Sequence, residues 1–196
     1  MPAKSIKGTQ TEKNIVISYL NESTAYTRYT FYAQQAHKES YFPIERVFQE
    51  TADNELHHSK IFFKMLQGGK IDVAVNGVDA GIIGDTASNL ACAAAEEESE
   101  GYGFYRAAAK VAREEGFDEI ASHFDAIADV EQQHQTRFLN ILKQVQDGTV
   151  WKREKPITWK CLVCGFEYVG TTPPMKCPAC DHPYQHYIAM DADYLV

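Results

Sequence analysis

Long apolar runs are missing from this 196-residue chain. No segment approaches about 18 consecutive apolar residues, so no membrane-spanning helix is expected. The first residues, Met1-Pro2-Ala3-Lys4-Ser5, hold no apolar stretch of the kind a secretory signal needs. Positive charge is in short supply: 19 Lys and Arg stand against 27 Asp and Glu, a formal net charge of -8. That balance argues against a nucleic-acid partner or an anionic membrane surface. Cysteine is scarce outside one region. Four of the 5 cysteines fall in two Cys-x-x-Cys pairs near the C-terminus. With no export signal, these read as metal ligands of a cytoplasmic protein rather than as disulfides. The remaining one, Cys92, stands in Ala-Cys-Ala-Ala-Ala and reads as a small buried side chain.

What is present is a set of four long amphipathic segments. From about Thr11 to Lys38, the residues Ile15, Tyr19, Glu22, Tyr26, Tyr29, Ala33 and Ala36 share one face. From about Ile44 to Leu66, the set is Ile44, Phe48, Thr51, Glu55, His58, Phe62 and Met65. From about Thr86 to Glu115, it is Leu90, Ala93, Glu97, Glu100, Phe104, Ala107 and Val111. From about Phe117 to Gln146, it is Phe117, Ile120, Phe124, Ile127, Glu131, His134, Phe138, Ile141 and Val145. Steps of three and four residues place each set on one side of a helix.

The polar members of these stripes carry the chemistry. Glu55 and His58 form one Glu-x-x-His motif, and Glu131 and His134 form a second. Glu22 precedes Glu55 by 33 residues, and Glu97 precedes Glu131 by 34. An unpaired buried carboxylate is very costly, so four helices that place acids at matching depth need a shared compensation. Bound cations supply it. The doubled set suits a pair of iron or manganese ions, with Glu55 and Glu131 bridging, Glu22 and His58 completing one position, and Glu97 and His134 the other. Glu96 and Glu98 flank Glu97 by about 100° on either side and read as solvated. Glu100 is a fifth inward carboxylate, either an outer acid or a ligand for one oxidation state. Tyr29 and Tyr105 read as donors to a ligand or to bound oxidant. His37, His57 and His123 read as surface residues, and His182 and His186 as neighbours of the cysteine site.

The connections organise these helices. Ser40 to Pro43 makes a tight turn with Pro43 placed to start a helix, and Gly116 separates the last two. Gly68 to Asp85 is one long crossover, expected to pack its Val and Ile residues on the helices. One long crossover is the ferritin-like topology. The matched spacings suggest an internal repeat of two helix pairs. Residues 1–147 thus form the four-helix bundle, 148–157 a linker, and 158–196 a small module. That module holds Cys161, Cys164, Cys177 and Cys180 among turn residues. So short a segment needs a metal staple. Four thiolates suit zinc or iron, and a redox bundle on the same chain favours iron.

The two modules in this order resemble rubrerythrin across essentially the whole chain. The bundle matches through Glu22-Ser-x-Ala, Arg28-Tyr29-Thr30, Thr51-Ala52-Asp53-x-Glu55-x-x-His58, Glu97-x-x-Glu100, Arg113-Glu114-Glu115-Gly116-Phe117 and Glu131-x-x-His134. The tail resembles rubredoxin through Trp159-x-Cys161-x-x-Cys164-Gly165-Phe166 and Cys177-Pro178-x-Cys180. The resemblance implies a mainly α protein, a ferritin-like bundle with a rubredoxin-like module. It implies a non-haem peroxidase that reduces hydrogen peroxide to water and protects against oxidative stress. It implies two carboxylate-bridged irons held by Glu22, Glu55, His58, Glu97, Glu100, Glu131 and His134, and one iron held by the four cysteines. One bundle iron would exchange Glu100 for His58 on reduction. It also implies a homodimer or larger homo-oligomer and an electron donor, either an NAD(P)H-dependent reductase or a small redox carrier. The competing readings are a ferroxidase or oxidase using dioxygen, iron storage or buffering, and a pure electron carrier. Two departures stand out. Glu98-Ser99 fill a stretch where the family has an aromatic, and Asp181 follows Cys180 where rubredoxins usually have Gly.

Overall fold

The computed structural model describes residues 4–75 and 81–191, with the side chains of residues 100–102 outside that description. The helices are α1 (Gln10–Lys38), α2 (Phe42–Met65), α3 (Thr86–Glu96), a π-helical segment (Glu97–Gly103), α4 (Phe104–Glu114) and α5 (Asp118–Gln146). A small sheet follows, formed by β1 (Ile157–Cys161), β2 (Glu167–Gly170) and β3 (Tyr187–Ala189). Among the described residues no helix is long and apolar enough to cross a membrane. The fold is the expected mainly helical bundle followed by a four-cysteine module.

Local chemistry sets the helix ends. Thr9 caps α1 by accepting from the Glu12 amide, and the Glu12 carboxylate accepts from the Gly8 amide at 2.8 Å. Asp85 caps α3 through the Ser88 amide. α4 stops at Gly116, whose φ of +75° is cheap only for glycine. The Phe117 amide then donates to the Ala112 carbonyl at 2.8 Å, closing the helix C-terminus. After α1 the same closure runs from the Tyr41 amide to the Ala36 carbonyl at 2.9 Å, with Ser40 at φ +65°. Two helical hairpins result: α1 packs on α2, and the α3–π–α4 run packs on α5.

The core has two apolar clusters with the polar site between them. Tyr29, Tyr32, Phe48 and Phe138 pack edge to face and tilted on one side, with ring centroids 5.4 to 6.4 Å apart. Phe62, Tyr105 and Phe124 pack on the other side, 5.3 to 6.0 Å apart. Such contacts add about 0.5–1.5 kcal/mol each beyond area burial. The first cluster continues into the small module through Trp159, Cys161, Cys177 and Tyr187.

Four expectations need correction. In α4 the buried residues are Tyr105, Ala108, Ala109 and Ala112, not Phe104, Ala107 and Val111, and Ala107 is exposed. The π segment takes in an extra residue and rephases everything after it. In the crossover, Val75 is 41%, Ile82 79% and Ile83 58% exposed rather than packed on the helices. Residues 76–80 of that crossover lie outside the described residues. The expected linker packs as well: Val150 is buried, Trp151 stacks on Tyr41 at 5.4 Å, and its Nε1 donates to the Tyr187 carbonyl at 3.0 Å. Finally, Cys92 is half-buried rather than buried, and it is hydrogen-bonded, as described below.

In the sheet, β1 is central and pairs antiparallel with both β2 and β3. Trp159 is buried, and its Nε1 donates to the Gly170 carbonyl at 2.9 Å. Asp181 holds the left-handed conformation, φ +63°, at the place where rubredoxins carry Gly. Asp tolerates this region better than most residues, and its amide donates to the Cys177 carbonyl at 3.0 Å.

Candidate metal centres

Glu22 comes from α1, Glu55 and His58 from α2, Glu97 from the start of the π segment, and Glu131 and His134 from α5. All six are buried, none more than 8% exposed. They form two overlapping donor sets: Glu22, Glu55, His58 and Glu131 make one, and Glu55, Glu97, Glu131 and His134 the other. Within each set the ligand atoms all lie within 4.8 Å of one another. Glu55 and Glu131 belong to both. Glu100 lies outside the described side chains.

The spacing inside each set is that of a coordination shell. Nδ1 of His58 lies 3.0 Å from Glu55, 3.1 Å from Glu131 and 3.6 Å from Glu22. Nδ1 of His134 lies 2.9 Å from Glu131, 3.1 Å from Glu55 and 3.7 Å from Glu97. One ring nitrogen carries at most one proton and cannot satisfy three oxygens. Oε1 of Glu55 and Oε1 of Glu131 are buried and lie 3.1 Å from a histidine Nδ1 that a nearer carboxylate oxygen already occupies, so neither has a well-formed hydrogen bond of its own, and such orphans call for an explanation. A cation provides it, because metal–ligand bonds of about 2.1 Å put adjacent ligands about 3 Å apart. Oxygen-rich donors with one imidazole per position fit a pair of iron ions.

Without metal, the electrostatics of the site are severe. Burial, then the charges of Glu55 and Glu131, push Glu22 and Glu97 well above the usual carboxylate range. Burial opposes ionisation of Glu55 too, but hydrogen bonds from His134 and His58 outweigh it and hold its pKa low. Burial would lower the His58 pKa, yet hydrogen bonds to Glu131, Glu22 and Glu55 push it up to about 12. His134 rises well above its ordinary value through Glu131, Glu55 and Glu97 against the same desolvation. Protonated imidazoles thus stand in for cations in the metal-free protein.

Two tyrosines support the outer carboxylates. The Tyr29 hydroxyl, on α1, donates to Glu97 at 2.6 Å. The Tyr105 hydroxyl, on α4, donates to Glu22. Burial, then the neighbouring carboxylates, raise both phenol pKa values well above normal, so both remain donors. The cavity between the acids holds only about 30 Å³ and is walled on the α1 side by Asn21, Ala25 and Arg28.

Glu96 corrects a further expectation. It is 6% exposed rather than solvated, and it forms an ion pair with Arg28 at the cavity wall. Tyr32 donates to the Cys92 sulfur at 3.3 Å, and that thiol lies 3.6 Å from Glu96. Asn54, whose amide lies 3.4 Å from Nε2 of His134, also goes unsignalled by the stripe pattern because it sits beside the seam. Glu98, His37, His57 and His123 are exposed as expected.

In the small module, Sγ of Cys161 lies 3.7 Å from that of Cys180, and Sγ of Cys164 lies 3.7 Å from that of Cys177. All four sulfurs lie within 4.8 Å of one another. A metal–sulfur bond of about 2.3 Å places tetrahedral sulfurs about 3.8 Å apart, so the set fits one iron ion. His182 Nδ1 lies 3.0 Å from the Cys180 carbonyl, while His186 stacks on Phe42 of α2 at 3.8 Å.

Comparison with known proteins agrees with both centres. A family model described as rubrerythrin matches residues 13–86 and 88–164, and one for the rubrerythrin rubredoxin-like domain matches residues 159–188. The chain is 46% identical to a rubrerythrin of Porphyromonas gingivalis over 191 residues, covering 97% of this chain and 95% of that protein. It is 44% identical to a rubrerythrin of Nitratidesulfovibrio vulgaris over 184 residues, covering 94% and 96%. Among solved structures, fully reduced, all-ferrous nigerythrin superposes with a TM-score of 0.62 at 26% identity, covering 96% of this chain and 90% of that one. With full-length relatives at this identity and both modules matched, the chain belongs to the rubrerythrin family.

Proposed function

We propose that this chain is a non-haem di-iron peroxidase that reduces hydrogen peroxide to water with electrons relayed through its four-cysteine iron. The observation that carries the reading is the buried pair of donor sets sharing Glu55 and Glu131 on the same chain as a four-thiolate site. One peroxide, two electrons and two protons give two waters. When bound, iron at the two bundle positions would supply the electron pair, and iron held by the four cysteines would return it one electron at a time.

The side chains do the rest. Glu55 and Glu131, common to both donor sets, would serve both positions, with Glu22 and His58 completing one and Glu97 and His134 the other. Glu100 joins the ligand set through the family resemblance. Tyr105 and Tyr29 hold protons against the outer oxygens of Glu22 and Glu97, beside the cavity where water must form. The cavity of about 30 Å³ has room for a molecule the size of water or peroxide. A cytoplasmic homodimer or larger homo-oligomer, served by an NAD(P)H-dependent reductase or a small redox carrier, completes the reading.

The test is anaerobic rapid mixing of the fully reduced, iron-loaded protein with peroxide or with dioxygen, following the red ferric-thiolate absorption. Rapid colour return with peroxide and slow return with dioxygen is the expected result. The reverse preference assigns an oxidase or ferroxidase instead.

A further inference from the structure

The two halves of the dinuclear site correspond at a fixed offset. Glu55 and His58 match Glu131 and His134, 76 positions later. At the residue before the glutamate the correspondence breaks, with Asn54 in one half and Val130 in the other. The Asn54 carboxamide reaches from α2 to α5, with Nδ2 placed 3.4 Å from Nε2 of His134. Valine at the equivalent place offers no hydrogen-bonding atom. Among the described residues nothing is hydrogen-bonded to Nε2 of His58, whose polar contacts all fall on Nδ1.

Both imidazoles turn Nδ1 toward the carboxylates, so Nδ1 would ligate a bound ion and Nε2 would carry the proton. The His134 Nε2–H would then donate, and a half-turn flip of the Asn54 carboxamide, which exchanges Nδ2 for Oδ1 in the same place, gives it an acceptor. A bond of this kind fixes the tautomer and ring orientation and raises the basicity of the ligating nitrogen. His58 lacks it and is also the more open of the two, with a side chain 11% exposed against 6% for His134.

We infer that Asn54 is a positioning residue that makes the two metal positions unequal, strengthening the Glu97–His134 position so that it fills first. The inference rests on the dinuclear reading of the bundle. Among the described residues no side chain replaces the missing anchor at His58 Nε2, so the Glu22–His58 position fills second and empties first.

The test is an anaerobic titration of the metal-free full chain with cobalt(II) against a competing chelator. The weak visible bands of carboxylate-bound cobalt report the bundle, and the intense thiolate bands report the four-cysteine site separately. The wild-type bundle takes up two cobalt ions in two steps. Asn54→Ala weakens the tighter step by about 10–100-fold and leaves the weaker step unchanged. Asn54→Gln restores the tighter step, which a role in folding alone would not explain. Val130→Asn, which supplies the missing anchor, tightens the weaker step and keeps the inference testable should Asn54→Ala fail to fold. Equal weakening of both steps in Asn54→Ala, or of neither, overturns the inference. A wild-type bundle that takes up no metal pair overturns the dinuclear reading and this inference with it.

Discussion

Tyr105→Phe removes a single oxygen and is the most selective probe of the bundle site. The ring is 2% exposed and packs on Phe62 at 5.6 Å and Phe124 at 6.0 Å. Phenylalanine keeps that packing. What is lost is the hydroxyl's bond to Glu22, and leaving a buried acceptor without its partner costs about 1–3 kcal/mol. For a chain of this size each kcal/mol moves the unfolding midpoint by about 2–4 °C. The metal-free variant should therefore melt about 2–12 °C lower, followed by the helical circular dichroism. A double-mutant cycle with Glu22→Gln should return a coupling of about 1–3 kcal/mol, and a cycle with Glu97→Gln almost none. Tyr29→Phe should show the opposite partner preference, because its hydroxyl bonds Glu97 at 2.6 Å. A shift below about 1 °C, or equal coupling to both glutamates, would refute the argument that each tyrosine holds one outer carboxylate.

Three further outcomes test the rest. Glu131→Gln should cost the bundle both metals, while Glu22→Gln should leave about one, as counted by metal analysis of the purified protein; equal losses would contradict the shared-carboxylate geometry. Cys177→Ser should abolish metal at the four-cysteine site and leave residues 157–191 open to proteolysis, because structural metal supplies about 10–16 kcal/mol of folding energy to such modules. Bundle helicity should survive that change. Glu115 accepts from the Thr11 hydroxyl at 2.6 Å, the Thr11 amide at 2.8 Å and the Gln10 amide at 3.1 Å, and these bonds lower its pKa. A lowered folded pKa gives stability that is present above the unfolded value of about 4.3 and is lost as the pH falls through the folded one. Glu115→Gln should thus cost about 1 kcal/mol near pH 7 and nothing in acid, measured as urea midpoints across that range.

The bundle is legible in the sequence because its stripes are interrupted at matching depth. A glutamate at an otherwise apolar position, with histidine one turn later, has few uses on a helix. The Pro43 and Gly116 signals bound the helices beside them to within a residue or two of their observed ends. Lateral contacts are less legible. Glu96 sits about 100° from the seam by helix geometry, and its burial goes with the approach of Arg28 from α1. Asn54 lies off the seam in the same way, and the histidine it meets belongs to another helix. Such contacts depend on how helices face one another, which a one-helix pattern does not encode. The exposed Ile82 and Ile83 carry the same lesson in reverse, since apolar composition alone does not decide what covers a side chain.

Helix three shows how an irregularity can be present in the numbers before its form is known. Tyr29 follows Glu22 by 7 residues, and Tyr105 follows Glu97 by 8. Seven α-helical residues bring a side chain back to within about 20° of its starting face, whereas eight overshoot by about 80°. Yet Tyr29 serves Glu97 and Tyr105 serves Glu22 in the same manner. The extra residue must be absorbed between Glu97 and Tyr105, and the π segment Glu97–Gly103 absorbs it there. The same residue accounts for the spacings of 33 and 34 that separate each outer glutamate from its Glu-x-x-His motif. From the helix ends onward the halves run in step: α1 stops at Lys38 and α2 starts at Phe42, while α4 stops at Glu114 and α5 starts at Asp118. A regular α-helix through this stretch would point Phe104, Ala107 and Val111 inward and turn the Tyr105 hydroxyl away from Glu22. The π turn therefore does more than relieve a register mismatch: it lets one helix deliver both a metal-binding carboxylate and the phenol that supports the carboxylate opposite.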